Sequence, residues 1–324
     1  FILPPFSILD ARQGYWQERK NDWLSLGIKS ELGGRDQMKV TGALSGSVPQ
    51  YYTYKEQAEK RVGRKLSCKE FEEKHLKRYL PTNSNIAFTE TGGLLSIFDP
   101  VLCEIAYRWF CPANAIVLDP FAGGSVRGIV ASSLGYDYVG IELRKEQVEE
   151  NRRQAEEILD EKKAEWATGD SLEMDSLVSG EFDFIFSCPP YADLEVYSDD
   201  PKDLSNMDYS KFKSVYQEII RKSVEKLKNN RFACFVVGDV RDKTGVYRNF
   251  VGHTIQAFID AGMSLYNEAV LITPLGSVPM RVGRQFQAGR KLGKAHQNVL
   301  VFYKGDPKAI KQEFGSVEIR EDDD

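Results

Sequence analysis

The sequence predicts an α/β fold built on a mostly parallel sheet, and two observations support this prediction. Short apolar runs alternate with amphipathic helical segments between about residues 115 and 303, the pattern of consecutive strand and helix units. The first run leads directly into a pair of glycines, Gly123 and Gly124, as in many doubly wound folds. The 324 residues, 42% hydrophobic and 28% charged, have the composition of an ordinary globular protein.

The predicted strands are short apolar runs bounded by polar or turn-forming residues. They are Ala115–Leu118, Tyr138–Ile141, Ala164–Ala167, Phe182–Phe186, Phe232–Val237, Leu265–Ile272 and Asn298–Tyr303. The segments between them carry apolar residues at helical spacing, which predicts helices. These helices are Ser125–Leu134, Lys145–Leu159, Tyr209–Leu227 and Asn249–Ala261.

Composition divides the chain into three parts. Residues 1–85 are polar and carry Trp16 and Trp23 at helical spacing, so we expect a helical N-terminal region whose tryptophans pack on the main domain. A polar stretch, Pro81–Asn85, is a predicted linker into a domain that spans residues 86–310. Residues 311–324 end in four acidic residues and are predicted to form a solvated acidic tail.

Composition also argues against several classes of protein. No apolar run approaches the roughly 20 residues needed to span a bilayer, so we expect an intracellular protein without a membrane partner. Five scattered cysteines and three histidines lack disulfide or ligand spacing, so we expect reduced thiols and no metal. The net charge of -5 argues weakly against a DNA partner, although the local distribution of charge matters more than its sum.

The strongest local signal is a strand that ends at Asp119 and runs through a glycine turn into a helix. Glycines there let a ligand approach the backbone closely, although tight packing would also explain them. About 20 residues on, a second strand ends at Glu142, where an acidic side chain can accept hydrogen bonds from ribose hydroxyls. The motif G-x-x-x-x-G-K-[ST] is absent. The Asp119 carboxylate would repel a pyrophosphate and suits a cationic nucleoside better.

The segment Asp119–Ser125 has the sequence DPFAGGS, which is similar to the DPFxGxG motif of DNA amino-methyltransferases. This resemblance implies a Rossmann-like class I methyltransferase fold and the sulfonium cofactor S-adenosylmethionine. It places Asp119, Phe121 and Gly123 near the methionine end of that cofactor. Ser125 stands where the family usually has its second glycine, and we count it among the predicted cofactor contacts.

Two further segments fit this resemblance. Ser96–Pro100 resembles the segment that precedes the glycine loop in the family and covers the methionine end, which makes Phe98 and Asp99 cofactor candidates. Asp170 and Ser171 follow the third strand, where the family contacts the adenine amino group. For Asp99 and Asp170 the alternative is a helix cap, because aspartate is a favoured N-cap residue.

The tetrapeptide Cys188, Pro189, Pro190 and Tyr191 follows the buried strand Phe182–Phe186. Paired prolines fix two φ angles and remove two donors, so the backbone carbonyls are held as acceptors, and an aromatic ring beside them can stack on a base. The tetrapeptide resembles the (Asp/Asn/Ser)-Pro-Pro-(Tyr/Phe) motif of enzymes that methylate exocyclic amino groups in DNA. That resemblance implies that the first side chain and a proline carbonyl accept hydrogen bonds from the target amine, while the aromatic ring stacks on a flipped base.

Cys188 departs from the family pattern, because a thiol sulfur is only a weak acceptor. Its size is closest to serine, the form associated with N4-cytosine methylation. The alternative is a nucleophilic cysteine, but in cytosine C5-methyltransferases that cysteine follows the proline. Residues expected to line the same crevice, with simple solvation or a surface turn as the alternative, are Asp193, Glu195, Tyr197, Asp239 and Arg241.

A basic segment, Met280–Lys294, contains glycines and no acidic residue. We predict a flexible recognition loop near residues 276–295 that contacts the phosphates of double-stranded DNA, with a merely solvated loop as the alternative. The following run, His296–Lys304, resembles the closing strand of the family, which is expected to be antiparallel at the sheet edge. The predicted DNA-binding cations are Arg281, Arg284, Arg290, Lys291 and Lys294.

These features predict a site-specific DNA methyltransferase that acts on the N4 amine of cytosine or the N6 amine of adenine. The opening segment Pro4–Trp16 resembles one found in phage-encoded DNA methylases, so we expect a cytoplasmic protein of a bacterial or phage-infected cell. Two alternatives stay open. One is methylation of RNA or protein, since Pro-Pro-Tyr tetrapeptides also serve amino-group methylation outside DNA. The other is a DNA-binding module that no longer turns over.

Overall fold

The computed structural model describes residues 3–28, 57–64, 74–75, 87–88, 94–95, 97–161, 163–191, 198, 200–275 and 278–317. An eight-stranded sheet forms the centre of the described structure. Two further strands pair with each other in a separate two-stranded ribbon. Some residues singled out from the sequence lie outside the described residues. They are Pro81–Asn85, Ser96, Asp193, Glu195, Tyr197 and the end of the tail, Glu321–Asp324.

The strands of the large sheet match the predicted runs closely, except that β8 begins at Leu227, five residues before the predicted start. A three-residue strand near the N-terminus was not predicted. The large sheet contains β1 Ile8–Asp10, β4 Ile116–Asp119, β5 Asp137–Glu142, β6 Ala164–Thr168, β7 Phe182–Ser187, β8 Leu227–Val237, β9 Ser264–Ile272 and β10 His296–Lys304. The ribbon contains β2 Ala87–Phe88 and β3 Leu94–Leu95.

Helices connect the parallel strands, as the alternating pattern predicts. Residues 57–62 are also helical. The labelled helices are α1 Gly14–Ser25, α2 Pro100–Phe110, α3 Val126–Ser133, α4 Lys145–Ile158, α5 Met174–Leu177, α6 Tyr209–Lys226, α7 Phe250–Asp260, α8 Val278–Gly289 and α9 Ile310–Glu313. Short 3-10 turns occur at Ser171–Glu173, Leu204–Asn206 and Pro307–Ala309.

The strand order of the large sheet is β1-β9-β10-β8-β7-β4-β5-β6. Strands β4 to β8 are parallel, so their carboxyl ends meet at one edge of the sheet, called the carboxyl edge below. Strand β10 is antiparallel to both of its neighbours, β8 and β9, so its first residues reach the same edge. The expectation that this antiparallel strand lies at the sheet edge is wrong. Its run Val299–Tyr303 is buried on both faces, which suits an interior strand.

Two hydrophobic clusters cover the two faces of the sheet. One face packs against α1 to α4, with Tyr107 and Phe186 among its fully buried side chains. The other face packs against α6 and α7, with Phe212, Tyr216 and Phe258 among its fully buried side chains. The sheet is therefore a buried middle layer, and the ends of its strands are where a ligand can approach the backbone.

The N-terminal region is not separate from this core. Strand β1 pairs in parallel with β9, and α1 packs on α2. Trp16 and Trp23 are buried, in agreement with the prediction that they pack on the main domain. Each also donates a hydrogen bond from Nε1. Trp16 donates to Asp99 Oδ1 at 3.2 Å and Trp23 to Glu104 Oε2 at 2.7 Å. Residues 3–28 therefore belong to the same packed unit as α2.

Two segments, one predicted to be a flexible loop and the other a solvated tail, contain helices. The basic segment is a helix, α8, rather than a flexible loop over residues 278–289. It is followed by a chain that folds back so closely that a Cβ at Gly293 would lie 2.6 Å from Val278 Cγ1. The predicted tail begins with α9, and this segment packs on the core. Glu313 pairs with Arg231 at 2.7 Å, and the Phe314 ring lies 5.1 Å from that of Phe232. None of the helices in the described ranges combines the length and apolarity that crossing a membrane requires.

Candidate active site

The candidate site lies at the carboxyl edge, where the loops after β4 to β8 come together. In open α/β sheets this crevice is where ligands bind. Every strand end singled out from the sequence reaches it: Asp119 ends β4, Glu142 ends β5, and Cys188 follows β7. The start of β10 joins them, because Asn298 is paired with Val237 at the end of β8.

The glycine turn is connected to the acidic end of the neighbouring strand. Gly123 has φ of +52°, and a Cβ built on it would meet no atom within 4 Å. Its N–H donates to Glu142 Oε2 at 3.0 Å, and its carbonyl accepts from Asn151 Nδ2 at 2.7 Å. The turn therefore combines a left-handed backbone that favours glycine with open space beside it, which fits a close ligand.

Glu142 accepts backbone hydrogen bonds on both carboxylate oxygens. Oε1 takes the N–H of Arg144 at 2.9 Å, in addition to the Gly123 bond on Oε2. Burial raises the pKa of Glu142 above its ordinary value, although both N–H groups oppose the shift. The side chain keeps 14% of its surface exposed, and each oxygen can accept a second hydrogen bond. Glu142 can therefore still receive two ligand hydroxyls.

Asp119 differs from Glu142, which pairs with Arg144 at 3.6 Å and keeps some exposed surface, because Asp119 and its cationic partner are both buried. The residue is fully buried, and Arg127 Nε lies 2.5 Å from Oδ2. Tyr138 donates to the same carboxylate at 2.7 Å and Ser187 at 2.5 Å. A buried guanidinium already balances the Asp119 charge, so that charge is not an argument for a cationic ligand at this residue. The predicted contact between Asp119 and a cofactor stays a prediction.

Arg127 ties several parts of the edge together. Its Nη2 donates to the carbonyls of Phe121 and Ala122, both at 2.7 Å. Its guanidinium lies over the ring of Phe98, 4.7 Å from the centroid. Since Asp119 also accepts from Ser187, the residue before the tetrapeptide, this network joins the glycine loop, Phe98 and the end of β7.

Several predicted cofactor residues have structural partners. Asp99 is the N-cap of α2 and accepts from Val101 N at 3.0 Å. Asp170 caps the 3-10 turn Ser171–Glu173 through Leu172 N at 2.9 Å. Asp99 and Asp170 therefore both cap helices, which was the alternative to cofactor contact given for them from the sequence.

The two predicted serines also have partners within the fold. Ser125 Oγ donates to Gln154 Oε1 at 3.2 Å, and Ser171 Oγ donates to the Pro120 carbonyl at 2.6 Å. The ring of Phe121 packs 5.8 Å from that of Tyr216. These contacts hold the edge in shape, and any contact with a ligand would be additional to them.

The tetrapeptide lies beside β4 and β8, and its aromatic ring is held from two sides. Tyr191 Oη accepts from Gln297 Nε2 at 2.6 Å, and its ring meets that of Phe250 edge-on at 6.0 Å. The Cys188 sulfur is 4.0 Å from the same hydroxyl oxygen. Cys188 and Pro190 are half-buried, whereas Pro189 is buried.

Lys294 belongs to the crevice. Its Nζ donates to the carbonyl of Asp239 at 3.0 Å, and a Cβ at Gly238 would lie 2.6 Å from Nζ and 3.8 Å from Tyr191 Cε1. Burial lowers the pKa of Lys294, against an opposing effect of Asp239. Lys294 therefore lies next to the tetrapeptide, whereas it was predicted only as a phosphate contact.

The other basic residues are more peripheral. Arg284 and Arg290 are exposed, on α8 and just after it, and Lys291 lies against Gly245 of the loop after β8. Arg281 is within α8. Arg241, also predicted to face the crevice, instead stacks on Tyr247.

A metal ion and an organic ligand can each be tested against the side chains at the carboxyl edge. Among the residues that the structure describes, no three His, Cys, Asp or Glu side chains gather at metal-binding spacing. An organic ligand fits better: the open space at Gly123 and the acceptors of Glu142 suit a nucleoside with adjacent hydroxyls. Such a ligand would lie one strand away from the tetrapeptide, because β4 and β7 are paired neighbours.

No protein-family model matches the sequence, and no curated protein matches it. Solved structures with a similar fold include TrmN from Thermus thermophilus, with 15% identity and a TM-score of 0.43 over 64% of this chain and 49% of that chain. A methyltransferase from Pyrococcus furiosus has 15% identity and a TM-score of 0.43 over 80% of this chain and 98% of that chain. Magnesium protoporphyrin IX methyltransferase from Synechocystis PCC 6803, solved with bound SAM, has 10% identity and a TM-score of 0.42 over 80% and 99%. This chain thus spans about half the length of the T. thermophilus protein.

The strand order β6-β5-β4-β7-β8-β10-β9, with β10 reversed among parallel strands, identifies the architecture. The chain has a Rossmann-like class I methyltransferase fold. Sequence reasoning missed Arg127 and Gln297 as site residues. Gln297 has no local signal, because its contact with Tyr191 depends on which strands become neighbours, whereas Arg127 meets Asp119 within one strand-turn-helix unit. Gly238 does mark a close approach, but the groups that approach it are Lys294 and Tyr191 rather than the two missed residues.

Proposed function

We propose that this chain transfers a methyl group from S-adenosylmethionine to an exocyclic amino group of a base in DNA, at N4 of cytosine or N6 of adenine. The observation that carries the proposal is the pairing of two motifs. The glycine loop and the Cys-Pro-Pro-Tyr tetrapeptide follow adjacent strands, and Ser187 donates to Asp119 between them at 2.5 Å. A cofactor on one motif and an amine on the other would therefore be neighbours.

The glycine-loop side supports S-adenosylmethionine as the cofactor. Glu142 would hold the ribose hydroxyls, Gly123 would let the methionine end approach the backbone, and Asp170 would lie near the adenine. When bound, the cofactor supplies an electrophilic methyl group on a sulfonium. The chain itself supplies shape and hydrogen-bond acceptors. Positioning of this kind can account for much of a rate enhancement.

The tetrapeptide side supports an amine as the acceptor. Cys188 and a proline carbonyl would accept the amine hydrogens and orient the nitrogen lone pair, and Tyr191 would stack on the base. The Tyr191 ring suits this role because Gln297 and Phe250 hold it in one orientation. A base in a duplex must leave the stack to reach such a pocket.

DNA is the proposed substrate because the tetrapeptide resembles that of DNA amino-methyltransferases and because the basic segment ends at Lys294, which lies in the crevice. Arg284 and Arg290 are exposed and Lys291 is half-buried, and in this proposal all three would meet phosphates. RNA is the second candidate, because Pro-Pro-Tyr tetrapeptides also serve amino-group methylation outside DNA. Phosphate contacts would serve either polymer, so the cations do not separate the two.

The test is mass spectrometry of nucleosides from both the DNA and the RNA of cells that express the chain, compared with cells that express Tyr191→Ala. We expect N4-methylcytosine or N6-methyladenine in DNA, and its loss with Tyr191→Ala. Methylated bases that appear only in RNA would transfer the proposal to the second candidate. No new methylated base in either polymer, from protein shown by calorimetry to bind S-adenosylmethionine, would contradict nucleobase methylation.

A further inference from the structure

The chain reverses direction directly after β8, in a turn that we call the 240–248 hairpin. Arg241 and Tyr247 form an antiparallel bridge, and Arg248 N donates to the carbonyl of Val240 at 3.0 Å. The carboxylate of Asp242 organises the tip, since its Oδ1 accepts the N–H groups of residues 244 and 245 at 2.9 Å and of residue 246 at 3.0 Å. The hairpin is therefore held by its own hydrogen bonds, independently of any partner.

This hairpin exposes apolar groups at its tip. Val246 has 63% of its surface exposed and Tyr247 has 42%. Positive charge surrounds them. Lys243 is exposed, and the Arg241 guanidinium lies 3.9 Å from the centroid of the Tyr247 ring. The hairpin carries three cations, the third being Arg248, against the one carboxylate of Asp242, which is engaged with four donors.

The position of the hairpin relates it to the tetrapeptide. It begins after Gly238, whose added Cβ would touch both Tyr191 and Lys294. Lys294 donates to the carbonyl of Asp239 at the base of the hairpin, and Lys291 lies against Gly245 at its tip. The base of the hairpin therefore lies beside the tetrapeptide and Lys294, and its tip lies beside Lys291.

We propose that the 240–248 hairpin is a second nucleic-acid contact, in which Lys243 meets a phosphate and the apolar tip, Val246 and Tyr247, packs against the bases next to the target. This inference rests on the proposed function and adds an element to it. Cations beside an apolar wedge are what a polynucleotide requires, because phosphates attract the charge while base faces accept the apolar side chains. A partner without anionic groups would leave the flanking cations unused.

The two contacts predict different salt behaviour. Duplex DNA binding is measured by fluorescence anisotropy over a series of salt concentrations, for the whole chain and two variants. Lys243→Ala should reduce the slope of log affinity against log salt by about one, since one phosphate contact releases about one counterion. Val246→Ser should weaken binding about three- to tenfold at every salt concentration and leave the slope unchanged, because an apolar contact releases no counterion.

Matched controls lie at the opposite edge of the sheet. Lys308→Ala removes an exposed lysine there, and Ile259→Ser replaces an apolar residue that is 45% exposed near the end of α7. Both should bind DNA like the unaltered chain. Thermal unfolding of all four variants checks that the fold is intact.

The outcomes separate this inference from the proposed function. Methyl transfer to DNA by the unaltered chain, together with hairpin variants that bind DNA as their controls do, would overturn the hairpin contact alone. An unaltered chain that binds S-adenosylmethionine but not duplex DNA would overturn both the contact and the DNA substrate. The predicted pair of effects, one on the slope and one on affinity, would support the contact.

Discussion

The two halves of the carboxyl edge are organised differently. In the half formed by β4, β5 and β6, most contacts join residues that are close in sequence: Arg127 with Asp119, and Gly123 with Glu142. In the half formed by β7, β8 and β10, Tyr191 is held by Gln297, which is 106 residues away. The first half is thus a local unit, and the second exists only when the reversed strand β10 is in place.

The two acids that end neighbouring strands show the same contrast in electrostatic terms. Asp119 is enclosed and paired with a cation, so its charge serves the fold. Glu142 is bound by two backbone N–H groups and pairs with Arg144 at 3.6 Å, yet it stays partly exposed, so its oxygens remain available to a ligand. Charge at a strand end is therefore not by itself a sign of ligand binding; the difference lies in whether the carboxylate is fully enclosed by its partners or keeps some exposed surface.

The largest expected effect tests the enclosed acid. Arg127→Met should lower the free energy of unfolding by about 3 to 5 kcal/mol, because it leaves the Asp119 carboxylate buried without its cation. Guanidinium denaturation measures this change. Arg221→Met, an exposed helix pair with Glu218, should change stability little. If both variants unfold alike, the Asp119 charge does not depend on Arg127.

The next effect tests the available acid. Glu142→Ala should weaken S-adenosylmethionine binding by about 1 to 3 kcal/mol, the range for losing hydrogen bonds to a charged group. Isothermal titration calorimetry measures the affinity. Asp137→Ala, at the exposed start of the same strand, is the matched control and should bind normally. Unchanged affinity of the Glu142 variant would remove this residue from the cofactor site.

A smaller effect tests the long-range contact in the other half. Gln297→Met and Tyr191→Phe each remove one partner of the same hydrogen bond. Each should therefore lower kcat/KM by a factor that corresponds to about 0.5 to 1.5 kcal/mol of activation free energy. The double variant should cost no more than either single one, because the second change has nothing left to remove. Gln287→Met, exposed on α8, is the control. Additive losses would show that Gln297 does not act through Tyr191.

The smallest expected effect is at Cys188. If the thiol only positions the amine, Cys188→Ser should keep activity, since a hydroxyl is similar in size and a better acceptor. If a thiolate instead attacked a pyrimidine carbon, serine would be far too weak a nucleophile and activity would collapse. Cys111→Ser, at the end of α2, is the control cysteine. A dead serine variant together with 5-methylcytosine as the product would overturn amino-group methylation.

Much of the fold could be predicted because strands and helices leave local periodic patterns. The runs that became β4 and β7 were located to within a residue, and so was the glycine turn between β4 and α3. Helix α8 was missed because Gly283, in its interior, argues against a helix by about 1 kcal/mol. Val278 and Val282 of this helix pack closely against Gly293, a tertiary contact that local helix preference does not include.

The sequence by itself determined which residues stand at the ends of strands, and therefore that Asp119, Glu142 and Cys188 reach one edge. Parallel strands joined by helices allow no other placement. Only the tertiary structure decided that β10 lies inside the sheet and that Gln297 meets Tyr191. These pairings depend on which strands are neighbours, and no local pattern encodes neighbours because side-chain periodicity is the same whatever lies beside a strand.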